Sequence, residues 1–531
     1  MAEAVVEIVI NNLSSLIQNE LGPLMSFNED LERLKSSLTA IKATLQDAEE
    51  RQFSQRSIND WLLKLKDAAH MLKVCNSCHG DGGWTTQLLW ISMQKIKMIS
   101  ERLDQIAKER HDFHLREIVM DTRTGVMDWR QTTSLITQPQ VYGRQQETDN
   151  IIHFLVAHAS NSQDLSVYPI LVLDDVWDDN QDSWQRLRSI LTCGAEGASI
   201  LVTTRLLKVA TVLGTMPPHE LSMLSGNDCW ELFKQRAFES GEEELEELVI
   251  IGKEIVKKCA GVPLAAIALG SLLRFKRTVG EWCSIRDNSL RSLQNENSVM
   301  PALRLSYLNL PVPLRQCFAF CAIFPKDKII EKQSLMELWT ANGFISSEEE
   351  CDQVWNELYW RSFFQDIRRN ESGKVKSFKM HYLIHDLAQS ISPEICCIPD
   401  DDGITSVPRV TRHISIYSKE LFEKENAIKL HQLRSLKSYL ARIYYGNHSL
   451  PHDVLKCYSL RVLQYVFLNH LPASIGNLKH LRYLNISHGF FKTLPESICK
   501  LRNLQVLKLE GCYKLETLPV CLKQLKALQH L

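Results

Sequence analysis

Leu171-Val172-Leu173-Asp174-Asp175-Val176-Trp177 is the stretch on which the reading of this chain turns. Three consecutive aliphatic residues read as a strand buried on both faces, the habit of parallel sheets. Two carboxylates stand where that strand ends, and open α/β sheets bind their ligands at the carboxyl ends of strands. An aspartate there suits a Mg²⁺ carried on nucleotide phosphates, directly or through water. Asp174 is therefore a candidate metal ligand, with Asp175 beside it. The phosphate half of such a site is a loop G-x-x-x-x-G-K-[ST] on an earlier strand. No stretch of the 531 residues has that form.

Outward from this strand, Ser199-Ile200-Leu201-Val202 reads as a second buried strand running into Thr203-Thr204-Arg205. Trp184, Leu187, Ile190 and Leu191 between the two have the spacing of a crossover helix, which completes a βαβ unit. Arg205, at a strand's carboxyl end, is placed to reach a ligand phosphate. Upstream, Val141-Tyr142-Gly143-Arg144 opens the unit. Downstream, helices dominate from Gly226 to about Ser390. Gly261-Val262-Pro263-Leu264 ends one helical run and starts the next, Pro being tolerated in a first turn.

The first 72 residues read as three amphipathic helices, with apolar positions at spacings of three and four. They carry Val5 to Leu21, Leu31 to Ala48, and Ile58 to Ala69. A bundle buries those faces, and any surplus could dock partners. Lys73 to Ile91 breaks the pattern at Gly80, Gly82 and Gly83, so helix is expected to stop there and to resume at about Ser92. Cys75-x-x-Cys78-His79 has the form of a haem attachment site, but no second axial ligand accompanies it. As a zinc site it lacks a clear fourth ligand. Cys317 and Cys321, four apart, read as core. His381 and His385 share that spacing, but no Glu follows the first His as zinc proteases require.

Leu-Pro pairs recur at 471, 494 and 518, spacings of 23 and 24. Leu481-Arg482-Tyr483-Leu484-Asn485-Ile486 reads L-x-x-L-x-I, the strand of a leucine-rich repeat. Such repeats stack into a solenoid whose concave face binds proteins. Residues 401–531 hold 19 Lys and Arg against 9 Asp and Glu, an excess of about +10 that points to acidic partners. The whole chain is near neutral, with formal charge -2, and this argues against a nucleic-acid binder. No apolar run is long enough for a membrane span. The 15 cysteines follow no repeated spacing, so reduced thiols in a cytoplasmic setting are expected. The repeat pattern reaches Leu531 without a polar capping unit, as in a truncated array.

In this order the pieces resemble the plant intracellular immune receptors of the coiled-coil, nucleotide-binding, leucine-rich-repeat type. Leu45-Gln46-Asp47-Ala48-Glu49-Glu50 and Trp61 to Ala69 are similar to that family's N-terminal helical domain. Val141 to Arg144, Leu171 to Trp177, Thr203-Thr204-Arg205, Gly261 to Leu264 and Cys317 to Lys326 are similar to successive motifs of its NB-ARC module. The resemblance implies a multidomain fold. A helical domain occupies 1–115, with an irregular insertion at 73–91, and a linker 116–140. A reduced α/β nucleotide-binding core follows at 141–220, a helical subdomain at 221–300, a winged helix at 301–395 and an incomplete leucine-rich-repeat α/β solenoid at 409–531.

The resemblance further implies a switch and not an enzyme, one that ADP holds closed and ATP with Mg²⁺ opens for oligomerisation and defence signalling. Val141, Gly143 and Arg144 would border adenine and Pro263 would pack near the base or sugar. Asp174 and Asp175 would serve the metal side, Arg205 would sense phosphate, and His381 would touch the β-phosphate of ADP. Partners would be a pathogen effector or guarded host protein at the repeats, signalling proteins at the N-terminal helices, and further copies of the chain.

Three departures accompany the match. Val167 to Asp175 reads as a fusion of the family's loop-bearing strand with its later metal-side strand, and everything between them is missing. Without the loop's backbone N–H groups and lysine, the phosphates lose their main stabilisation. The family's Met-His-Asp motif reads Met380-His381-Tyr382. The acidic motif that follows Asp67-Ala68-Ala69 in the family, and docks the helical domain on the repeats, is replaced by Lys73 to Trp90. The residues leave open an impaired receptor, a truncated adaptor or decoy that pairs with full-length receptors, and a nonfunctional gene product.

Overall fold

The computed structural model describes residues 25–52, 55–77, 86–113, 142–150, 170–173, 181–191, 199–204, 206–214, 218–238, 245–276, 278–289, 300–391, 396–397, 411–416, 433–438 and 449–530, with Val6 and Ile152. These fall into two compact units, Met1–Trp129 with Met300–Leu531, and Arg130–Val299.

In the first unit the N-terminal bundle comprises α1 (Met25–Lys42), α2 (Leu45–Arg51), α3 (Arg56–Ser77) and α4 (Thr86–Asp112). Leu34, Leu38, Ile41, Leu45, Ala48, Ile58, Trp61, Leu62, Leu65, Leu103 and Ile106 form its core. The Trp61 indole N–H donates to the Ile106 carbonyl at 2.9 Å, which fixes α3 against α4. The helix expected over Leu31–Ala48 is broken at Ala43–Thr44, where the Thr44 hydroxyl turns back to the Ile41 carbonyl at 3.0 Å. A hydroxyl bonded to the preceding turn offers the backbone an alternative to continuing the helix. The irregular stretch expected over 73–91 is shorter than read. Helix persists to Ser77 and is in place again from Thr86, because the glycines lie within 80–83 and the flanking spacing stays helical. Cys75 is helical, while Cys78 and His79 lie outside the described residues, as do the linker 116–140 and the strand start at Val167.

The second unit holds the βαβ piece. β1 (Ile170–Leu173) and β2 (Ser199–Val202) pair in parallel, Leu173 opposite Val202, with α5 (Gln181–Leu191) between them in sequence. Among the described residues this sheet has only these two strands. Leu201, read as buried, is 40% exposed. α6 (Leu207–Leu213) follows. A helical group comes next: α7 (Gly226–Ala237), α8 (Glu246–Lys257), α9 (Pro263–Leu273) and α10 (Val279–Ser284). Its core is Phe233, Ile255, Ala266, Leu269, Leu272 and Trp282.

The rest of the first unit is continuous with the bundle. α11 (Met300–Leu308) and α12 (Val312–Phe320) lead into β3 (Ile330–Glu331), α13 (Lys332–Asn342) and α14 (Glu348–Trp360). β4 (Phe364–Arg369), β5 (Val375–Met380) and α15 (Tyr382–Ile391) complete this segment. β3, β5 and β4 form an antiparallel sheet, with β4 and β5 paired as a hairpin and β3 on the other edge of β5. Cys317 and Cys321 are core residues, as expected, and the Cys317 carbonyl accepts the Trp339 indole N–H at 3.1 Å.

Six short parallel strands follow: β6 (Cys396–Cys397), β7 (His413–Ile416), β8 (Ser435–Ser438), β9 (Val462–Gln464), β10 (Tyr483–Asn485) and β11 (Val506–Lys508), paired in that sequence. Each Leu-Pro places its proline as the cap of a 3₁₀ turn, at Ala473–Asn477, Glu496–Lys500 and Val520–Gln524. Leu471, Leu481, Leu484, Leu494, Leu504 and Leu507 fill the space between strand and turn. The strand register starts at Cys396, earlier than the visible repeat, because its first rungs lack the Leu-Pro signal. Stacking also brings Cys499 and Cys521 together as a disulfide with Cα atoms 5.8 Å apart, against the expectation of reduced thiols throughout. No helix among the described residues is long and apolar enough to cross a membrane.

Candidate nucleotide-switch site

Three segments of the second unit converge on one belt. Gly143 has φ +62°, and a Cβ there would lie 2.5 Å from the Asp228 carboxylate, so only glycine fits. Arg144 donates to the Ser222 carbonyl at 2.7 Å and to Glu147 at 2.9 Å, and Glu147 accepts the Ser222 hydroxyl at 3.0 Å. A bond to its own backbone N–H, then the Arg144 and Ser222 bonds, hold the Glu147 carboxyl below its ordinary value. Ser225 caps α7 by accepting the Asp228 backbone N–H at 3.1 Å. The Leu224 N–H donates to the Gly261 carbonyl at 3.0 Å, and a Cβ on Gly261 (φ +78°) would stand 2.8 Å from the Leu224 carbonyl. Pro263 then begins α9, half-buried.

Gly143, Arg144 and Pro263 are thus joined through Ser222–Asp228, a segment the sequence reading did not single out. Its signal was available: Ser225 followed three residues later by Asp228 has the spacing of a helix N-terminal cap. The Arg144 guanidinium is engaged by protein groups here, which reads as a fastening and not as a free ligand contact. Val141, Asp174, Asp175 and Arg205 lie outside the described residues. β1 stops at Leu173, one residue before the aspartates, and Thr204 accepts the Leu206 N–H at 3.1 Å just after β2. Among the described residues no group of acidic, His and Cys side chains could hold a metal. The belt is built from protein–protein contacts, and the sequence has no G-x-x-x-x-G-K-[ST] loop.

His381 belongs to the other unit, where its Nδ1 accepts the Leu383 N–H at 3.2 Å and its carbonyl accepts the His385 N–H at 2.9 Å. It caps α15, with the Tyr382 ring 4.3 Å away. His385 is buried against the Phe324 carbonyl at 2.6 Å. Burial lowers its pKa, and that bond opposes the shift.

The repeats show an interface that the sequence concealed. Arg412, Arg434, Arg461 and Arg482 each stand one residue before a strand, forming a column across the repeats. Arg461 donates to the Asn342 carbonyl at 2.7 Å, at the C-terminus of α13, where cations are favoured. Ser435 donates to the Asn342 side chain at 2.9 Å, Lys508 meets Glu337 at 2.7 Å, and Lys437 lies over the Phe324 ring. Arg412 pairs with Asp67 of the bundle at 2.8 Å. Burial lowers the pKa of every arginine in this column, that of Arg461 to about 10 with Arg482 adding to it. The cationic excess read as a lure for acidic partners is, for Arg461 and Lys508, an internal contact with α13 and, for Arg412, one with α3. Asp67 reaches the repeats without the acidic motif that should follow it.

Fold and site together define a multidomain protein built on an NB-ARC type nucleotide-binding module. Four family descriptions match in order: Rx N-terminal domain at residues 5–75, NB-ARC domain at 151–243, disease resistance protein winged helix domain at 323–388 and leucine-rich repeat region at 432–531. The chain is 36% identical, over 97% of its length, to disease resistance protein RGA2 of Solanum bulbocastanum, covering 60% of that protein. It is 37% identical over 92% of its length to RGA1 of the same plant, covering 57%. It is 32% identical over 68% of its length to disease resistance protein RPP13 of Arabidopsis thaliana, covering 44%. The chain belongs to the plant coiled-coil, NB-ARC, leucine-rich-repeat disease resistance family. It spans a little over half the length of the Solanum relatives. The RGA1 alignment runs to 594 positions, whereas 92% of 531 residues is about 489, leaving about 105 positions where the relative alone has a residue.

Proposed function

We propose that this chain is a cytoplasmic disease resistance protein whose nucleotide switch is impaired on its phosphate side. The four family regions in order support the receptor part of the reading. The observation that carries the impairment is the absence of any G-x-x-x-x-G-K-[ST] stretch from a sequence that keeps Val141-Tyr142-Gly143-Arg144 and Leu171 to Trp177. The surplus of positions in the relatives' alignments agrees with it. In this reading Val141, Gly143, Arg144 and Pro263 keep their places on the base side. Asp174, Asp175 and Arg205 keep theirs without a phosphate cradle, and His381 acts as a helix cap. Domain limits of 1–115, 141–220, 221–300, 301–395 and 409–531 go with this reading. ADP or ATP with Mg²⁺ would bind weakly, and turnover, which needs phosphates held in place, would not occur. Effector or host partners would meet repeat surface that α13 leaves uncovered, and signalling partners the bundle.

A second reading, an adaptor that pairs with full-length relatives, is favoured by the same missing loop, because association through helices and repeats needs no phosphate. Expression in leaf tissue separates the readings. A defence response unchanged by Asp174→Ala and Arg205→Ala is expected. A response abolished by Asp174→Ala overturns the impairment, and no response unless a full-length relative is co-expressed favours the adaptor.

A further inference from the structure

The three Leu-Pro turns share one frame: Pro472-Ala473-Ser474-Ile475-Gly476-Asn477, Pro495-Glu496-Ser497-Ile498-Cys499-Lys500 and Pro519-Val520-Cys521-Leu522-Lys523-Gln524. In that frame Cys499 stands where the first turn has Gly476, and Cys521 stands where the second has Ser497. Stacking sets the residue after the aliphatic position of one turn against the residue before that position in the next. Between the first two turns this shows at Gly476, where an added Cβ would lie 3.0 Å from the Ser497 Cβ. One rung later the same step brings Cys499 to Cys521, with Cα atoms 5.8 Å apart. That separation is ordinary for a disulfide, so the bond closes on the stacked backbone as it stands. The repeat register, and no local motif, creates the pair.

Both cysteines are half-buried, within reach of a small oxidant. Most other described cysteines are buried; Cys283 and Cys512 are half-buried free thiols. Burial pushes the Cys512 thiol up, away from the reactive thiolate. Lys500 follows Cys499 and Lys523 lies two beyond Cys521, and cationic neighbours favour thiolate. In the reduced form the Cys521 S–H has an acceptor in the Glu496 carbonyl at 3.7 Å. The pair spans 22 positions, a loop that holds β11 and the exposed apolar residues Tyr513, Leu518 and Val520. The turn at Val520–Gln524 buries none of its own residues, so the staple is a large part of what fixes it.

We propose that Cys499 and Cys521 form a redox-modification site, oxidised by a peroxide and reduced by a dithiol, that staples the Val520–Gln524 turn to the Glu496–Lys500 turn. One thiolate attacks the peroxide O–O bond, becomes a sulfenic acid and releases hydroxide. The second thiol displaces water from that sulfur and closes the S–S bond. Two thiols thus lose two electrons, and one peroxide becomes two waters. A dithiol reopens the staple by thiol–disulfide exchange, itself ending as a disulfide. The oxidation state sets how firmly the Tyr513–Val520 surface is held. None of this depends on nucleotide or on the receptor reading.

The test compares two redox forms of the unchanged 531-residue chain. The chain is reduced with dithiothreitol, desalted and treated with one equivalent of hydrogen peroxide; free thiols are then alkylated and the digest mapped by mass spectrometry. The Cys499–Cys521 cross-link is expected as the main product, with Cys283 and Cys512 still alkylated. Amide exchange over 509–525 should be slower by about tenfold or more in the oxidised form, and dithiothreitol should reverse it, since a closed loop limits local opening. Exchange in β9 should not change. Cys499→Ser and Cys521→Ser should each lose the response to peroxide. The proposal is overturned if peroxide leaves both thiols free or oxidises them without joining them. It is also overturned if the cross-link leaves exchange over 509–525 unchanged, or if either variant still responds.

Discussion

Asp67 offers an internally controlled test of the dock between bundle and repeats. Its carboxylate binds two arginines in different surroundings: Arg102 at 3.1 Å, with 42% of its side chain exposed, and Arg412 at 2.8 Å, with 5% exposed. The exposed pair is screened by water and is worth about 0–1 kcal/mol. Breaking the buried pair leaves the Arg412 guanidinium without its carboxylate, at a cost of roughly 3–5 kcal/mol. Asp67→Ala should therefore weaken the dock by about 3 kcal/mol or more, and Arg102→Ala by less than about 1 kcal/mol. Because the chain has more than one cooperative unit, a single melting temperature is the wrong observable. Hydrogen exchange of α3 and of the β7 strand, followed through a urea series, gives the two local free energies. In a double-mutant cycle, Asp67→Ala with Arg412→Ala should show coupling of about 1.5 kcal/mol or more. Equal effects of Asp67→Ala and Arg102→Ala, or no coupling to Arg412, would refute the reasoning.

Three further outcomes follow from individual groups. Burial opposes ionisation of Glu49, but nearby cationic groups, Arg315 and Lys66 among them, outweigh it and hold its pKa at about 2, against 4.5 for the free side chain. The ionised carboxylate's contribution to stability is thus complete above pH 4.5 and is lost as pH falls toward 2; exchange of α2 should rise across that window and Glu49→Gln should abolish the dependence. Lys437 is pushed down to about 7, by burial first and then by Lys328 and Lys508. Below pH 7 it is charged in both states and carries its full burial penalty, which fades as pH climbs toward 10.5. Lys437→Met should raise the midpoint of repeat unfolding at pH 6 and have little effect near pH 10.5. Gly143→Ala meets both a positive φ and the Asp228 carboxylate, so it should cost roughly 1–3 kcal/mol, read as increased exchange at the start of α7.

What was legible in the sequence was local. The Leu-Pro period announced the repeats because each proline caps a turn and each leucine fills a rung. The triple aliphatic of β1, and Pro263 at the start of α9, also carry their structure in their nearest neighbours. The concealed features depend on distant pairs. Arg412 and Asp67 are 345 positions apart and Arg315 and Glu49 are 266 apart, so no spacing rule could join them. For the same reason the positive charge of the repeats was legible while its use against α13 was not. Leu201 was read as buried from its apolar neighbours in sequence, which assumes a strand covered on both faces; it is 40% exposed. The belt through Ser222–Asp228 was missed because its residues are ordinary capping residues.

Nucleotide content of the purified 531-residue chain measures the impairment directly. The protein is denatured after gel filtration without added nucleotide, and released ADP and ATP are quantified by chromatography and mass spectrometry. If the phosphate side is impaired as proposed, far less than one nucleotide per chain is expected. ADP retained at one equivalent would contradict it and restore an intact switch.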